Sequence, residues 1–383
     1  MSRLDKLPAY LFTEIDRAKR EALTAGRDVI DLGIGDPDLP TPAPLLDVMA
    51  AAVRRPANHR YPDNRGAPAF REAVAAWLAR RQGVELDPET QVMALIGSKE
   101  GLAHLPLALL EEGDRVLVPD IGYPVYGAST ILAGGVPATY RLRRERDFLP
   151  DPAEIEAAAD PRTRLLMLNS PHNPTGAVAS AGDFGTLLAV GRRAGLVVAN
   201  DAAYREVVLS GEPAAGLLQA ADLARDRVVE FHSLSKMFNM TGWRIGFAVG
   251  HAEVISALDR VKQNIDSGAF TAVQETAIFA LDAARDDLMA GVMRPYARRR
   301  DRIAAALAAA GLEVFGTRAT FYVWARVPEG QDSFSFCRRV LSERDLVVTP
   351  GTGFGAGGEG WFRISLTTAD DRIDEAAERL RRL

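Results

Sequence analysis

Short apolar runs alternate with longer amphipathic stretches along this chain, and no other feature narrows its fold as much. "RVLVPD" (Arg115 to Asp120), "RLLMLNSP" (Arg164 to Pro171), "GLVVANDAAY" (Gly195 to Tyr204), "RVVEFHSLSK" (Arg227 to Lys236) and "WRIGFAVG" (Trp243 to Gly250) read as buried strands. Segments such as "AGDFGTLLAVGRRAG" between them carry helical patterning. Strands separated by helices predict an α/β domain built on a mainly parallel sheet. Near Leu281 the pattern changes. "RPYARRRDRIAAALAAAG" predicts a long helix with a basic face, and "TFYVWARV" and "GWFRISLT" predict strands of a smaller, C-terminal α/β domain. The expected division is an arm and part of the small domain at 1–40, a large domain at 41–280 and a small domain at 281–383. The helical, charged N-terminal segment serves as the joining arm. With 383 residues and 47% hydrophobic content, the chain can bury a core in each.

Composition excludes several functions. The net charge is -5 and the charges are interspersed, which argues against nucleic-acid binding. A single cysteine, Cys337, sits in "SFSFCRRV", which predicts a half-buried helix. It can form no internal disulfide, so a reducing compartment is expected. No apolar run approaches the ~18–20 residues that span a bilayer. The first residues lack the apolar run of a signal peptide. The expectation is a cytoplasmic protein with no membrane partner. The five histidines show no ligand spacing, so no metal site is expected. His172 and His232 flank motif residues and are expected to be structural. "GTGFGAGGEG" lacks the Lys-Ser/Thr of a Walker loop, and is expected to be a flexible connection before Arg363.

The strand ends carry the chemistry. Asn169 and Asn173, Asp201 and Tyr204, and Ser233, Ser235 and Lys236 appear where three buried runs finish. Ligands of open α/β sheets bind outside the carboxyl ends of the strands. One rim thus receives amides, a carboxylate, a phenol, two hydroxyls and an amine. A lysine held away from water can form a Schiff base with an aldehyde cofactor. Pyridoxal 5'-phosphate asks for that amine, for a carboxylate at its ring nitrogen and for hydrogen bonds at its phenolic oxygen. It also asks for hydroxyls, backbone amides and a cation at its phosphate. Lys236, Asp201, Asn173 with Tyr204, and Ser233, Ser235 and Arg244 with the "GSKEG" turn (Gly97 to Gly101) match those needs in turn.

In order and spacing, "NPTG", the Asp-x-x-Tyr of "DAAY", and "SLSK" followed by "GWRIG" resemble the fold-type-I, class I/II aminotransferases. The resemblance runs from "LGIGDPD" near residue 32 to "WFRISL" near 361. It implies that Lys236 is the Schiff-base lysine and proton carrier, and that Asp201 partners the pyridine nitrogen. It implies Tyr204 and Asn173 at the phenolic oxygen, and Ser98, Lys99, Ser233, Ser235 and Arg244 at the phosphate. Tyr123 of "GYPVYG" matches the aromatic that stacks on the cofactor. Tyr61 of "HRYPDNRG" matches a tyrosine that reaches the neighbouring subunit's phosphate, which implies a homodimer with shared sites. Arg363 matches the clamp on the substrate α-carboxylate, with the Gly35 backbone close to the same group. Asn173 and Tyr123 also face substrate.

Further segments, among them "LGIGDPDLPTP", "EFHSLSKMFNMTGWRIGFAVG" and "NIDSGAF", resemble the LL-diaminopimelate aminotransferases. Those move an amino group between LL-diaminopimelate and 2-oxoglutarate in lysine biosynthesis, with Lys99 near the substrate. Broad-specificity alanine, aspartate or aromatic aminotransferases share the cofactor motifs and stay open as an alternative. So does a carbon–sulfur lyase using the same lysine. A regulatory module without catalysis is disfavoured, because the pattern begins almost at residue 1 with no DNA-binding segment before it.

Overall fold

The computed structural model describes residues 3–7, 13–316 and 318–383. Part of the expected N-terminal arm is seen as a short turn at Arg3–Lys6 and a helix at Thr13–Thr24. Residues 1–2 and 8–12 of that arm lie outside the described residues. The first strand, β1 (Ile30–Asp31), follows. Seven strands then build the central sheet: β2 (Val92–Leu95), β3 (Arg115–Pro119), β4 (Val136–Tyr140), β5 (Thr163–Asn169), β6 (Val197–Asp201), β7 (Val228–Ser233) and β8 (Gly246–Gly250). Their spatial order is β2-β8-β7-β6-β5-β3-β4. The β7–β6–β5–β3–β4 pairings are parallel, and only β8 runs against its two neighbours. The fold is therefore α/β with a mainly parallel sheet. β5, β6 and β7 are buried along nearly their whole length, which is why they read as continuous apolar runs.

Five short strands follow: β9 (Val314–Phe315), β10 (Tyr322–Arg326), β11 (Leu346–Val347), β12 (Thr349–Pro350) and β13 (Trp361–Ser365). β12, β13, β10 and β9 make an antiparallel sheet, while β11 pairs in parallel with β1. The backbone N–H of Ser365 also donates to the Leu32 carbonyl at 2.7 Å. Residues 30–35 are thereby stitched to the C-terminal strands, and this brings Gly35 to the carboxyl rim of the central sheet. A second apolar core, including Phe321, Phe336, Phe362 and Ile364, packs beneath these strands. The long basic helix spans Asp286–Ala309, and Cys337 is buried in the helix Ser333–Arg344. Among the described residues, no helix is long and apolar enough to cross a membrane.

One expectation is corrected. The glycine-rich run 351–360 is not a flexible connection. It forms two 3-10 turns, Gly351–Phe354 and Ala356–Gly358, packed tightly on the β3 end. A Cβ at Gly355 would lie 2.1 Å from the Asp120 carbonyl oxygen, and one at Gly357 would lie 2.3 Å from the Asp120 carboxylate. These glycines permit close backbone approach rather than motion. Their packing places Phe354 against a cavity at the carboxyl rim of the sheet.

Candidate active site

The carboxyl ends of β5, β6 and β7 open onto a cavity of about 510 Å³. It is lined by Gly35, Ser98, Lys99, Tyr123, Asn173, Asp201, Tyr204, Ser233, Ser235, Lys236, Arg244 and Arg363. Every sequence-derived candidate but one thus reaches a single site. The exception, Tyr61, lies outside the cavity and is 90% exposed.

Lys236 stands on a one-turn helix, Leu234–Met237, directly after β7. Its Nζ donates to the Gly35 carbonyl at 3.3 Å and lies 5.6 Å from the Phe321 ring centroid. Burial pulls this amine down to about 8. Arg244 and Arg363 push it the same way, while Asp36 and Asp201 oppose them. Its neutral fraction near neutral pH is thereby far larger than that of an ordinary lysine, which favours nucleophilic attack. Asp201 ends β6 and is 6% exposed. Burial raises its carboxyl above the ordinary carboxylate range, against a hydrogen bond from the Tyr126 hydroxyl at 2.8 Å. Asn169, at the end of β5, donates to the Asp201 carbonyl and accepts from the Asn173 backbone N–H, at 2.7 and 2.9 Å.

Arg363 projects from β13. One guanidinium nitrogen donates to the Asn173 side-chain oxygen at 3.0 Å and another to the Gly33 carbonyl at 2.7 Å. Its carbon sits 4.1 and 4.6 Å from the ring centroids of Tyr322 and Phe354. Among the described residues it has no carboxylate partner, and its buried Nε has no acceptor. A buried, unneutralised guanidinium is costly unless an anion joins it. The Tyr204 hydroxyl is hydrogen-bonded to that of Tyr322 at 3.0 Å.

The opposite end of the cavity is built for an oxyanion. The helix Ser98–Leu109 begins there, with its first N–H groups unclaimed by helical bonding. Gly97 holds the turn at φ 94°, a region that favours glycine. A Cβ on it would lie 2.4 Å from the Arg244 guanidinium. Ser233 Oγ accepts from the Ser235 N–H, whereas Ser235 Oγ is buried without a partner among the described residues. The Lys99 ammonium lies 5.9 Å from the Tyr123 ring centroid. An unused hydroxyl, helix N–H groups and Arg244 at one end suit a phosphate. The carboxylate of Asp201 and the amine of Lys236 suit a protonated ring and an aldehyde. The residues present therefore fit pyridoxal phosphate.

Neither of the two histidines that flank motif residues lines the cavity. His172 bonds Thr175 Oγ1 and the Ile121 carbonyl, and burial lowers it to about 4. His232 bonds Glu230, two residues before it on β7, at 2.7 Å. Sequence reasoning missed Tyr126, Asp36, Tyr322 and Phe354. Tyr126 had a usable signal, since it lies three residues after Tyr123 in the same "GYPVYG" motif, and the two rings meet edge-on at 6.0 Å. Tyr322 had none, because its partner Tyr204 is 118 residues away.

Similarity to known proteins agrees with this geometry. The family model "Aminotransferase class I and II" matches residues 27–380. The chain is 48% identical over 379 residues to an LL-diaminopimelate aminotransferase of Desulforudis audaxviator, covering 99% of this chain and 96% of that protein. It matches a probable N-succinyldiaminopimelate aminotransferase structure from Thermus thermophilus with TM-score 0.88 and 39% identity, covering 97% of this chain and 99% of that one. It matches an aspartate aminotransferase double mutant from Thermus thermophilus with TM-score 0.92 and 29% identity, covering 100% and 99%. Fold and relatives together define a pyridoxal-phosphate enzyme of fold type I. Within that class, the chain belongs to the class I and II aminotransferases, which move amino groups between amino acids and 2-oxo acids.

Proposed function

We propose that this aminotransferase acts on LL-diaminopimelate and 2-oxoglutarate, in the cytoplasm, as a step of lysine biosynthesis. The carrying observation is full-length similarity at 46–48% identity to relatives named for that reaction. The cavity supports it with a second cation, Lys99, besides the carboxylate clamp Arg363. Diaminopimelate and glutamate each carry a second carboxylate that a second cation suits. The single, buried Cys337 accords with a reducing compartment.

Each residue then has a task. Arg363 grips the α-carboxylate in two parallel hydrogen bonds, using donors that include the unpartnered Nε. Gly35 and Asn173 border that carboxylate. Lys236 Nζ takes the proton from the substrate α-carbon and returns it on the far side of the transfer. The bound cofactor supplies an electron sink for that carbon. Asp201 keeps the ring nitrogen protonated, and Tyr126 orients Asp201. Tyr204 and Asn173 serve the phenolic oxygen, and Tyr123 packs on the ring. Ser98, Lys99, Ser233, Ser235 and Arg244 hold the phosphate.

The substrate is tested by a matrix of amino donors and oxo acceptors. Diaminopimelate with 2-oxoglutarate is expected to outrun alanine, aspartate and aromatic donors. Lys99 is exposed in the single chain, so its pairing with a distal carboxylate is worth about 1 kcal/mol, roughly fivefold. With saturating cofactor, Lys99→Met should therefore lose about that factor in kcat/KM for diaminopimelate and glutamate, but not for alanine. Rapid turnover of alanine or aspartate, with none of diaminopimelate, would replace this reading by a broad-specificity one. Pyruvate and ammonia from cystathionine would point to a carbon–sulfur lyase.

The exposed Tyr61 belongs to a homodimer in this proposal, reaching the partner's phosphate. Exposed Ile265 and Phe270, in the loop "NIDSGAF", add apolar surface for a partner to cover. Mixing inactive Tyr61→Ala with inactive Lys236→Ala should restore part of the activity, because one hybrid site carries both native residues. No rescue after verified subunit exchange, or a fully active monomer in sedimentation, removes Tyr61 from the site.

A further inference from the structure

Lys262 ends the helix Ala252–Lys262 and is 0% exposed. Its ammonium donates to Glu100 Oε1 at 2.8 Å and to Asp266 Oδ1 at 2.6 Å. Glu100 belongs to a segment that lines the proposed site, whereas Asp266 belongs to the neighbouring loop 264–270. Glu100 lies in the first turn of the helix Ser98–Leu109, and its other oxygen accepts from the Ile96 N–H at 2.6 Å. That bond closes the Gly97 turn from behind. Asp266 lies in "NIDSGAF" and also accepts from the Gly268 N–H at 2.9 Å. His104 Nδ1 stands 3.4 Å from Glu100 Oε1. Glu100, His104 and Asp266 converge within 4.8 Å, and the buried ammonium bridges the two partly buried carboxylates as a salt bridge.

A buried charged group that bonds two carboxylates fixes direction as well as distance. We propose that Lys262 is a positioning residue for the phosphate cradle. Through Glu100 it sets the geometry of the turn 96–100, and through Asp266 it locks that turn to the loop 264–270. The proposal rests on the assignment of the Gly97–Gly101 turn to the cofactor phosphate. Lys262 touches neither cofactor nor substrate, since it does not line the cavity.

The test titrates cofactor-free protein with pyridoxal phosphate and with pyridoxal, which lacks the phosphate, following the absorbance of the bound cofactor. Lys262→Met should lose about tenfold in pyridoxal phosphate affinity and less than about twofold in pyridoxal affinity, the scale met when groups that orient a ligand are removed. Lys262→Met also leaves two partly buried carboxylates without their cation and can impair folding. The triple variant Glu100→Gln/Lys262→Met/Asp266→Asn removes that charge but keeps the acceptors for Ile96 and Gly268. It should melt near the wild-type temperature and still show the phosphate-specific loss. A folded variant with the wild-type ratio of the two affinities, or with equal loss of both, overturns the proposal. Ser98→Ala separates the two ideas. If it lowers phosphate-dependent affinity while Lys262→Met does not, only the positioning role fails. If neither does, the cradle assignment fails with it.

Discussion

Lys236→Ala is expected to bind pyridoxal phosphate without a covalent bond and to lose transamination by about 10²–10⁴-fold from the missing proton transfer alone. Loss of covalent attachment adds to that. The reason lies in where the amine sits. It is the only amine at the end of β7, and burial has brought it down to about 8. Its hydrogen bond to the Gly35 carbonyl is long at 3.3 Å and easily surrendered. Lys99, the other lysine lining the cavity, stands by Tyr123 and is exposed. Borohydride reduction of the wild type, followed by peptide mapping, should place the label on Lys236. A label on Lys99 or elsewhere would overturn the assignment.

Asp201→Asn should cost about 10²–10³-fold in α-proton removal, the scale of losing one preorganised electrostatic partner at a reacting centre. Asparagine keeps the shape and can still accept from Tyr126, but it cannot hold a protonated ring nitrogen. The same change should act oppositely on the cofactor-free protein. Burial raises the Asp201 carboxyl, so the unfolded state releases this proton at lower pH than the native state. Between those two titrations the native state binds more protons, and stability falls as pH rises. Asp201→Asn should remove that fall and leave the cofactor-free protein at least as stable at neutral pH. Single-turnover rates and thermal melts across pH read the two effects separately. A near-normal rate of proton removal in the variant would take Asp201 out of the mechanism.

Much of the sheet was legible because its signal is local. A run such as "RLLMLN" is buried on both faces, so it is apolar throughout, and its polar terminus marks the rim. β2 and β4 were missed for different reasons. β2 has only four residues. β4 lies at the sheet edge, is mostly unburied and contains Pro137, so it lacks the apolar run of an interior strand. The glycine run at 351–360 was misread because composition cannot separate glycine used for freedom from glycine used for close approach.

The sequence by itself determined the alternation of strands and helices, the polar strand ends and the order of the cofactor motifs. Each depends on residues within a few positions of one another, where chain connectivity already sets the geometry. The tertiary structure decided which groups meet. Tyr126 and Asp201 are 75 residues apart, Lys262 and Glu100 are 162 apart, and Arg363 and Asn173 are 190 apart. Over such separations the chain imposes no fixed geometry. These contacts exist only because sheet order, register and packing bring the segments together. The buried Arg363 guanidinium, the amine lowered by burial and the salt bridge behind the phosphate turn are all products of that packing.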